Sequence, residues 1–307
     1  MTVPDMILPE LPDNPEVRVM MDRGVHSILM IANYKTGQSQ ELVRFPYLIE
    51  APQFRGADEL IFNSMGRILR YRISQRTTEL VNTQYCICCN NDHVLCADGR
   101  RLAVSHMTKE DLKSRIYILD LESDAPPFLV TPIAPSYLHG WSPDGEELAF
   151  CGCRNGKFDL YTIPAKGGEE RLLLSFPGHS DGVEYSSDGR DVYFNGVRDG
   201  SMDCFRLNRQ TNELTRLTNN GRNNWFPHIS PGCDKVVYLS YDATQVVPSG
   251  NHPANMEVQL RAVNPDGSDD RLLISLFGGQ GTINVNSWSP DNETFAYVVY
   301  QLRENET

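Results

Sequence analysis

Nowhere in these 307 residues does an apolar run approach the ~20 positions that a helical membrane span requires, so membrane insertion is not expected. The opening Met1-Thr-Val-Pro-Asp5 has neither a basic n-region nor an apolar h-region, and the expectation is that the chain stays in the cytoplasm. Positive charge is scarce, with 28 Lys and Arg against 40 Asp and Glu and a net charge of -12. That balance argues against nucleic acid or an anionic membrane as partner, because both demand a basic patch. It suits a solvated acidic surface, or cationic ligands. Sustained helical periodicity is missing too, so helix content should be low. The eight cysteines show no repeated pair spacing of the kind a disulfide framework needs, and Cys86-Ile-Cys88-Cys89 is a poor match to zinc-ligand spacings. A separate α/β-hydrolase domain, which a propeller-bearing serine peptidase needs to present its nucleophile elbow, has no counterpart in the sequence, so Ser-His-Asp catalysis is not expected.

What the sequence does have is a period. Trp141-Ser-Pro-Asp-Gly145 runs into Leu148-Ala-Phe150, Tyr185-Ser-Ser-Asp-Gly189 into Val192-Tyr-Phe194, and Trp288-Ser-Pro-Asp291 into Phe295-Ala-Tyr-Val298. Weaker copies lie at 54–62, at Leu95-Cys-Ala-Asp-Gly99 before Leu102, and at Ile229-Ser-Pro-Gly232 before Val236. Taken at Leu60, Leu102, Leu148, Val192, Val236 and Phe295, the steps are 42, 46, 44, 44 and 59 residues. A repeat of about 40–45 residues is the length of a four-stranded propeller blade.

The turn explains the recurrence. Proline presets one backbone angle while Asp and Gly tolerate the tight corner, so each copy reads as strand A, turn, strand B. Runs such as Asp159-Leu-Tyr-Thr-Ile163 and Arg171-Leu-Leu-Leu174 then supply strands C and D. Asp144, Asp188 and Asp291 are accordingly turn formers, and Trp141, Tyr185 and Trp288 are inter-blade core. The last copy ends after a strand B near Tyr300, and Ile28-Leu-Met-Ile31 with Glu41-Leu-Val43 look like an orphan C and D pair. Pairing the two ends would close a ring and hide its edge strands. The expected fold is therefore all-β: one six-bladed propeller domain over residues 1–307, with 1–24 as a lead-in and 241–255 as an inserted loop in the fifth blade.

In such a ring the D-to-A and B-to-C loops open on one face. All seven histidines map to that face: His26, His93, His106, His139, His179, His228 and His252. The same face carries the excess of about 15 residues behind the 59-residue step, and long inserts of this kind usually serve as lids or binding elements. Arg154 and Arg198 occupy equivalent positions after strand B, and Glu184, Trp225 and Gln280 lie on strand A or its entry. The candidate ligand-binding set is thus His139, Arg154, His179, Glu184, Arg198, Trp225, His228, His252 and Gln280, a mixture suited to a polar ligand. Each has a structural alternative: His93, His139 and His228 can bond the backbone of a neighbouring blade, His252 can shape an Asn-x-Pro loop, and the glycines around Gln280 can simply admit close backbone approach.

The Trp-Ser-Pro-Asp-Gly turns, with Asp159-Leu-Tyr161 opening a strand C, resemble the repeats of TolB-like β-propellers over nearly the whole chain. His139-Gly-Trp-Ser-Pro-Asp-Gly145 and Phe277-Gly-Gly-Gln-Gly-Thr282 look closer still to signal-less members of that group. The resemblance implies the fold; propellers of this type carry several functions. Two are in view. One is a binding scaffold for a protein partner, a peptide or a carbohydrate, with Trp225, Tyr137 and Tyr185 giving contact area. The other is an enzyme similar to oligogalacturonate lyases, in which a divalent metal neutralises a uronate carboxylate and a histidine removes the neighbouring proton. On that second reading His139, His228, His252 and Gln280 are the candidate ligands for manganese, zinc or iron.

Overall fold

Each Asp-containing turn closes through the side chains that the sequence places there. Ser142 Oγ donates to Asp144 Oδ1 at 2.6 Å, the Glu146 amide reaches the same oxygen at 3.0 Å, and the Gly145 amide returns to the Ser142 carbonyl at 2.8 Å. Gly145 sits at φ 72°, in the left-handed region that glycine enters without strain, so the turn favours glycine there. Asp188 and Asp291 repeat the arrangement, each accepting from amides two or three residues on. The hairpins so formed are strands A and B of successive blades.

The computed structural model describes residues 24–302, so all of the 1–24 lead-in except Gly24 falls outside the described residues. Blade 1 comprises Glu50–Arg55, Glu59–Ser64, Arg67–Arg72 and Thr77–Leu80, and blade 2 Cys89–Leu95, Arg101–Met107, Ser114–Asp120 and Phe128–Leu129. Blade 3 is Ser136–Trp141, Glu147–Arg154, Lys157–Pro164 and Arg171–Leu174, and blade 4 is Ser180–Tyr185, Asp191–Arg198, Ser201–Asn208 and Leu214–Arg216. Blade 5 is Asn223–Ile229, Val236–Tyr241, Met256–Val263 and Arg271–Gly278. Within each sheet the strands are antiparallel and in chain order, and the A strands touch one another around the centre of the ring. Among the described residues the single helical element is the 3-10 turn Gln280–Thr282, and no helix is long and apolar enough to cross a membrane.

Blade 6 is built from both ends of the chain. Val25–Asn33 pairs with Thr294–Leu302 without a register break, from Val25 opposite Leu302 to Asn33 opposite Thr294, and Ser39–Phe45 adds the outer strand. Its strand A departs from the four-stranded expectation, shrinking to a bridge between Trp288 and Phe295. Beside that bridge the Asn286 side-chain amide donates to Glu184 and to the Ile229 carbonyl of blade 5.

The apolar residues do not form one core. They divide into slots between neighbouring sheets, such as Val94, Ala103 and Ile116 of blade 2 against Leu138, Trp141 and Phe150 of blade 3. The seam blade does the same, packing Val25, Leu29, Ala296 and Val298 against Leu60, Phe62 and Tyr71 of blade 1. Trp141 lies under the Arg101 guanidinium of blade 2 at 5.1 Å, and Trp288 donates its indole N–H to the His228 carbonyl at 3.0 Å, which makes both inter-blade residues as expected. The described cysteines are all free thiols and mostly buried.

Leu29 is wholly buried in the seam slot, whereas Ile133 is 52 % exposed. Leu29→Ala should cost about 2–5 kcal/mol in urea unfolding, and Ile133→Ala should stay within about 0.5 kcal/mol. Equal effects would contradict a seam that carries stability.

Candidate functional site

Every full strand A breaks register at the same place. The shift falls between Glu50 and Gln53, Cys89 and His93, Leu138 and Gly140, Asp181 and Glu184, and Trp225 and His228. A bulge frees residues from the ladder and re-aims their side chains. The backbone takes the left-handed conformation inside three of these bulges, at Ala51 (φ 57°), Gly182 (φ 64°) and Phe226 (φ 53°). Counting back four residues from Phe54, Leu95, Trp141, Tyr185, Ile229 and Trp288 gives one equivalent position in each blade: Glu50, Asn91, Tyr137, Asp181, Trp225 and Asn284.

Four of those six, Glu50, Asn91, Tyr137 and Asp181, line a central cavity of about 1030 Å³. The loop 242–255 covers it, contributing Val246, Val247, Asn251, His252 and Pro253 to the wall. That loop is pinned at both ends: Asn223 Nδ2 donates to the Val246 carbonyl at 3.1 Å and Tyr241 Oη to the Pro253 carbonyl at 3.0 Å. Gly279 passes so close that a Cβ would lie 2.6 Å from the Pro253 carbonyl oxygen and from Ala254 Cα, so a glycine of the Gly-Gly-Gln-Gly string serves the loop's base.

The cavity gathers His139, His179, His252 and Gln280 from the sequence-derived set. Their hub is Asp181, whose carboxylate meets His139 Nε2 at 2.8 Å. Burial works to raise the Asp181 pKa, but His139, with His179 and His252 nearby, outweighs it and holds the group well below the usual carboxylate range. Burial likewise opposes the His139 cation, yet the Asp181, Asp92 and Glu184 carboxylates prevail and lift its pKa to about 9. For His252 burial wins, lowering the pKa despite Asp181 and a hydrogen bond with Gln280. Its ring stands edge-on to Trp225, centroids 4.4 Å apart.

The other expected residues lie elsewhere. His228 is fully engaged as a brace between blades: Nδ1 faces Glu184 Oε2 at 2.7 Å and Nε2 the Ile283 carbonyl at 3.0 Å. Glu184 in turn accepts from the Ile229 amide and from Asn286. Arg154 is held by Glu170 at 2.8 Å and by the Pro135 carbonyl, and its guanidinium lies over Tyr161. Arg198 ends its strand exposed, opposite Ser201. Trp225 is completely buried, backing the cavity through its contacts with His179 and His252. His93 and His106 are buried as well, His106 accepting from the Cys88 amide, so the histidines of the face do not all serve one site. The metal set therefore does not fit: one of its members has both ring nitrogens committed, and His139 spends Nε2 on Asp181. Among the described residues no three His, Cys, Asp or Glu side chains converge as a metal cluster.

Glu50, Asp92 and Asp181 are what the sequence reading missed. The Asp92 carboxylate accepts from Asn284 at 2.7 Å and Asn90 at 2.5 Å, and burial raises its pKa in spite of His139. Glu50 accepts from Asn91 at 3.3 Å, and burial, against that bond and with Asp92 nearby, pushes it to about 7. The shared repeat position was the available signal for Glu50 and Asp181.

With the geometry in place, comparison with known proteins gives the class. The TolB beta propeller domain model matches residues 93–247, and an uncharacterised protein of Agrobacterium fabrum is 39 % identical over 279 residues, covering 90 % of this chain and 93 % of its own. The chain belongs to the TolB-type β-propeller family. A solved TolB candidate from Agrobacterium tumefaciens superposes with a TM-score of 0.84 at 38 % identity, over 91 % of this chain and 99 % of that one. An oligogalacturonate lyase in complex with manganese shares the fold alone, with a TM-score of 0.52 at 15 % identity, over 83 % of this chain and 75 % of that one.

Glu50 keeps its proton in the folded chain up to about pH 7, while the unfolded chain sheds it near 4.5. Its contribution to stability is therefore whole below 4.5 and lost as pH rises through 7. Glu50→Gln should raise stability relative to wild type at pH 8, by on the order of 3 kcal/mol at most, and change it little at pH 4; urea titrations at both values would show it, and a pH-independent difference would contradict it. His228→Ala, which strands the buried Glu184 carboxylate, should cost about 3–5 kcal/mol in the same assay.

Proposed function

We propose that this propeller is a binding scaffold whose ligand, a small molecule or a projecting segment of a partner protein, enters the central cavity beneath the 242–255 loop. The observation that carries the reading is the register break common to all five full A strands. A bulge re-aims side chains, and here it recurs in five blades, four of which turn Glu50, Asn91, Tyr137 and Asp181 toward one cavity of about 1030 Å³, an arrangement suited to holding a ligand. The volume lies at the upper end of the range for small-molecule pockets, roughly 300–1,000 Å³.

The alternative, metal-assisted elimination on an acidic oligosaccharide, draws less support from the same wall. That reaction needs positive charge to neutralise a uronate carboxylate. No lysine or arginine stands among the described lining residues, and His139, drawn to the cationic form, is already committed to Asp181. Of the two arginines in equivalent positions after strand B, Arg154 is held by Glu170, and Arg198 ends its strand exposed.

The test is a thermal-shift screen of metabolites and short peptides against wild type and Gly250→Trp, which puts bulk into the covering loop at a lining position where a Cβ meets nothing nearer than His179 at 3.9 Å. At least one compound should raise the wild-type Tm by several degrees and leave Gly250→Trp unmoved. Equal shifts in both proteins would move the binding site away from the cavity. Formation of an unsaturated product from oligogalacturonate with manganese present would favour the lyase instead.

A further inference from the structure

The cavity wall is out of electrical balance. Three carboxylates line it, Glu50, Asp92 and Asp181, and Asp181 alone has a basic partner, His139. Asp92 is solvated by two amides, from Asn90 and Asn284, and Glu50 by the one long bond from Asn91. Amide dipoles soften a buried carboxylate; they do not neutralise it, and an unpaired buried charge is costly. Glu50 is 7 % exposed and Asp92 2 % exposed, so bulk water does little for either.

A second, separate observation points the same way. Ser114, 5 % exposed, lines the cavity, and its Oγ has no hydrogen-bond partner; His139 Nδ1 is equally buried and unpartnered. A buried hydroxyl without a bond is uncommon in a finished interior. A hydroxyl can accept from a cationic N–H, and the free ring N–H of a charged His139 can donate to an acceptor carried beside that cation. Tyr137 and Phe158 add aromatic faces to the same wall, a surface that favours cations over anions.

We propose that the cavity recognises an organic cation, a primary ammonium or guanidinium group, whose charge is taken by Glu50 and Asp92. This rests on the reading of the cavity as a ligand site. An organic cation suits the wall better than a bare metal ion, because the carboxylates are spread across blades 1, 2 and 4 instead of converging on one point. The chemistry has two sources, a free amine or the side chain of a lysine or arginine on a partner protein, and the probes below separate them.

Calorimetric titration at pH 8, where Glu50 is ionised, uses four probes: cadaverine, a capped Gly-Lys-Gly peptide, glutarate and pentanediol. Cadaverine or the lysine peptide should bind at least tenfold more tightly than glutarate or the diol. Cadaverine alone would assign a free amine, and the peptide alone a partner's side chain. Glu50→Gln, which should remain folded at this pH, should weaken that binding about tenfold, while Asp188→Asn, the same charge change at an A-to-B turn, should leave it unaltered. Tighter binding of glutarate, or no binding of either cation, overturns the proposed charge preference and leaves the cavity standing as a site for other ligands. Cation binding that survives unchanged in Gly250→Trp would instead overturn the cavity itself, and this inference with it.

Discussion

The antiparallel pairing of Val25–Asn33 with Thr294–Leu302 turns a row of blades into a ring. A row would end in two exposed sheet faces and could not hold six inner strands around an axis. With the seam closed, each sheet has an apolar neighbour on both sides, and the A strands are forced together at the centre. The central cavity follows from that crowding. Inner strands that stayed in perfect register would bring their side chains into a narrow channel, and the bulges relieve the squeeze by lifting one or two residues out of each ladder.

The polar groups divide along the same line. Where a long polar side chain serves as a brace, its bonds are made: His228 spans Glu184 of blade 4 and the Ile283 carbonyl, and Arg154 ties Glu170 to the Pro135 carbonyl within blade 3. At the cavity wall the atoms left without a bond include Ser114 Oγ and one edge of the His139 ring. Stability is carried by the braces, and the chemistry available to a ligand by the remainder.

The ring was legible in the sequence because its turns are local. Ser142, Pro143, Asp144 and Gly145 are contiguous, and their hydrogen bonds are with one another or with near neighbours, so spacing alone reported six blades and a split closing sheet. The wall was legible only in part. His139, His179, His252 and Gln280 were found because imidazoles and a glycine-flanked glutamine draw attention. Asp181 and Asp92 escaped because Asp181-Gly182 and Asn90-Asn91-Asp92 look like turn formers, the very composition that the real turns use. What separates them is register, a property of the paired strand and not of the segment itself. For the same reason Arg154 and His228 read as ligands: their partners Glu170 and Glu184 lie 16 and 44 residues away, and no local pattern announces them.

The partition of the apolar interior into slots between sheets bears on how such a chain can change. A substitution that alters volume in one slot is felt by two blades, and the remaining slots keep their contacts. The ionisable wall residues Glu50, Asp92 and Asp181 lie beside or within the strand A bulges and outside the apolar slots, so their exchange leaves the packing between sheets in place. Turn and slot residues answer to the ring, whereas the position four residues before the end of strand A carries a different side chain in nearly every blade, and the four copies that face the cavity, Glu50, Asn91, Tyr137 and Asp181, give each quarter of its wall a chemistry of its own.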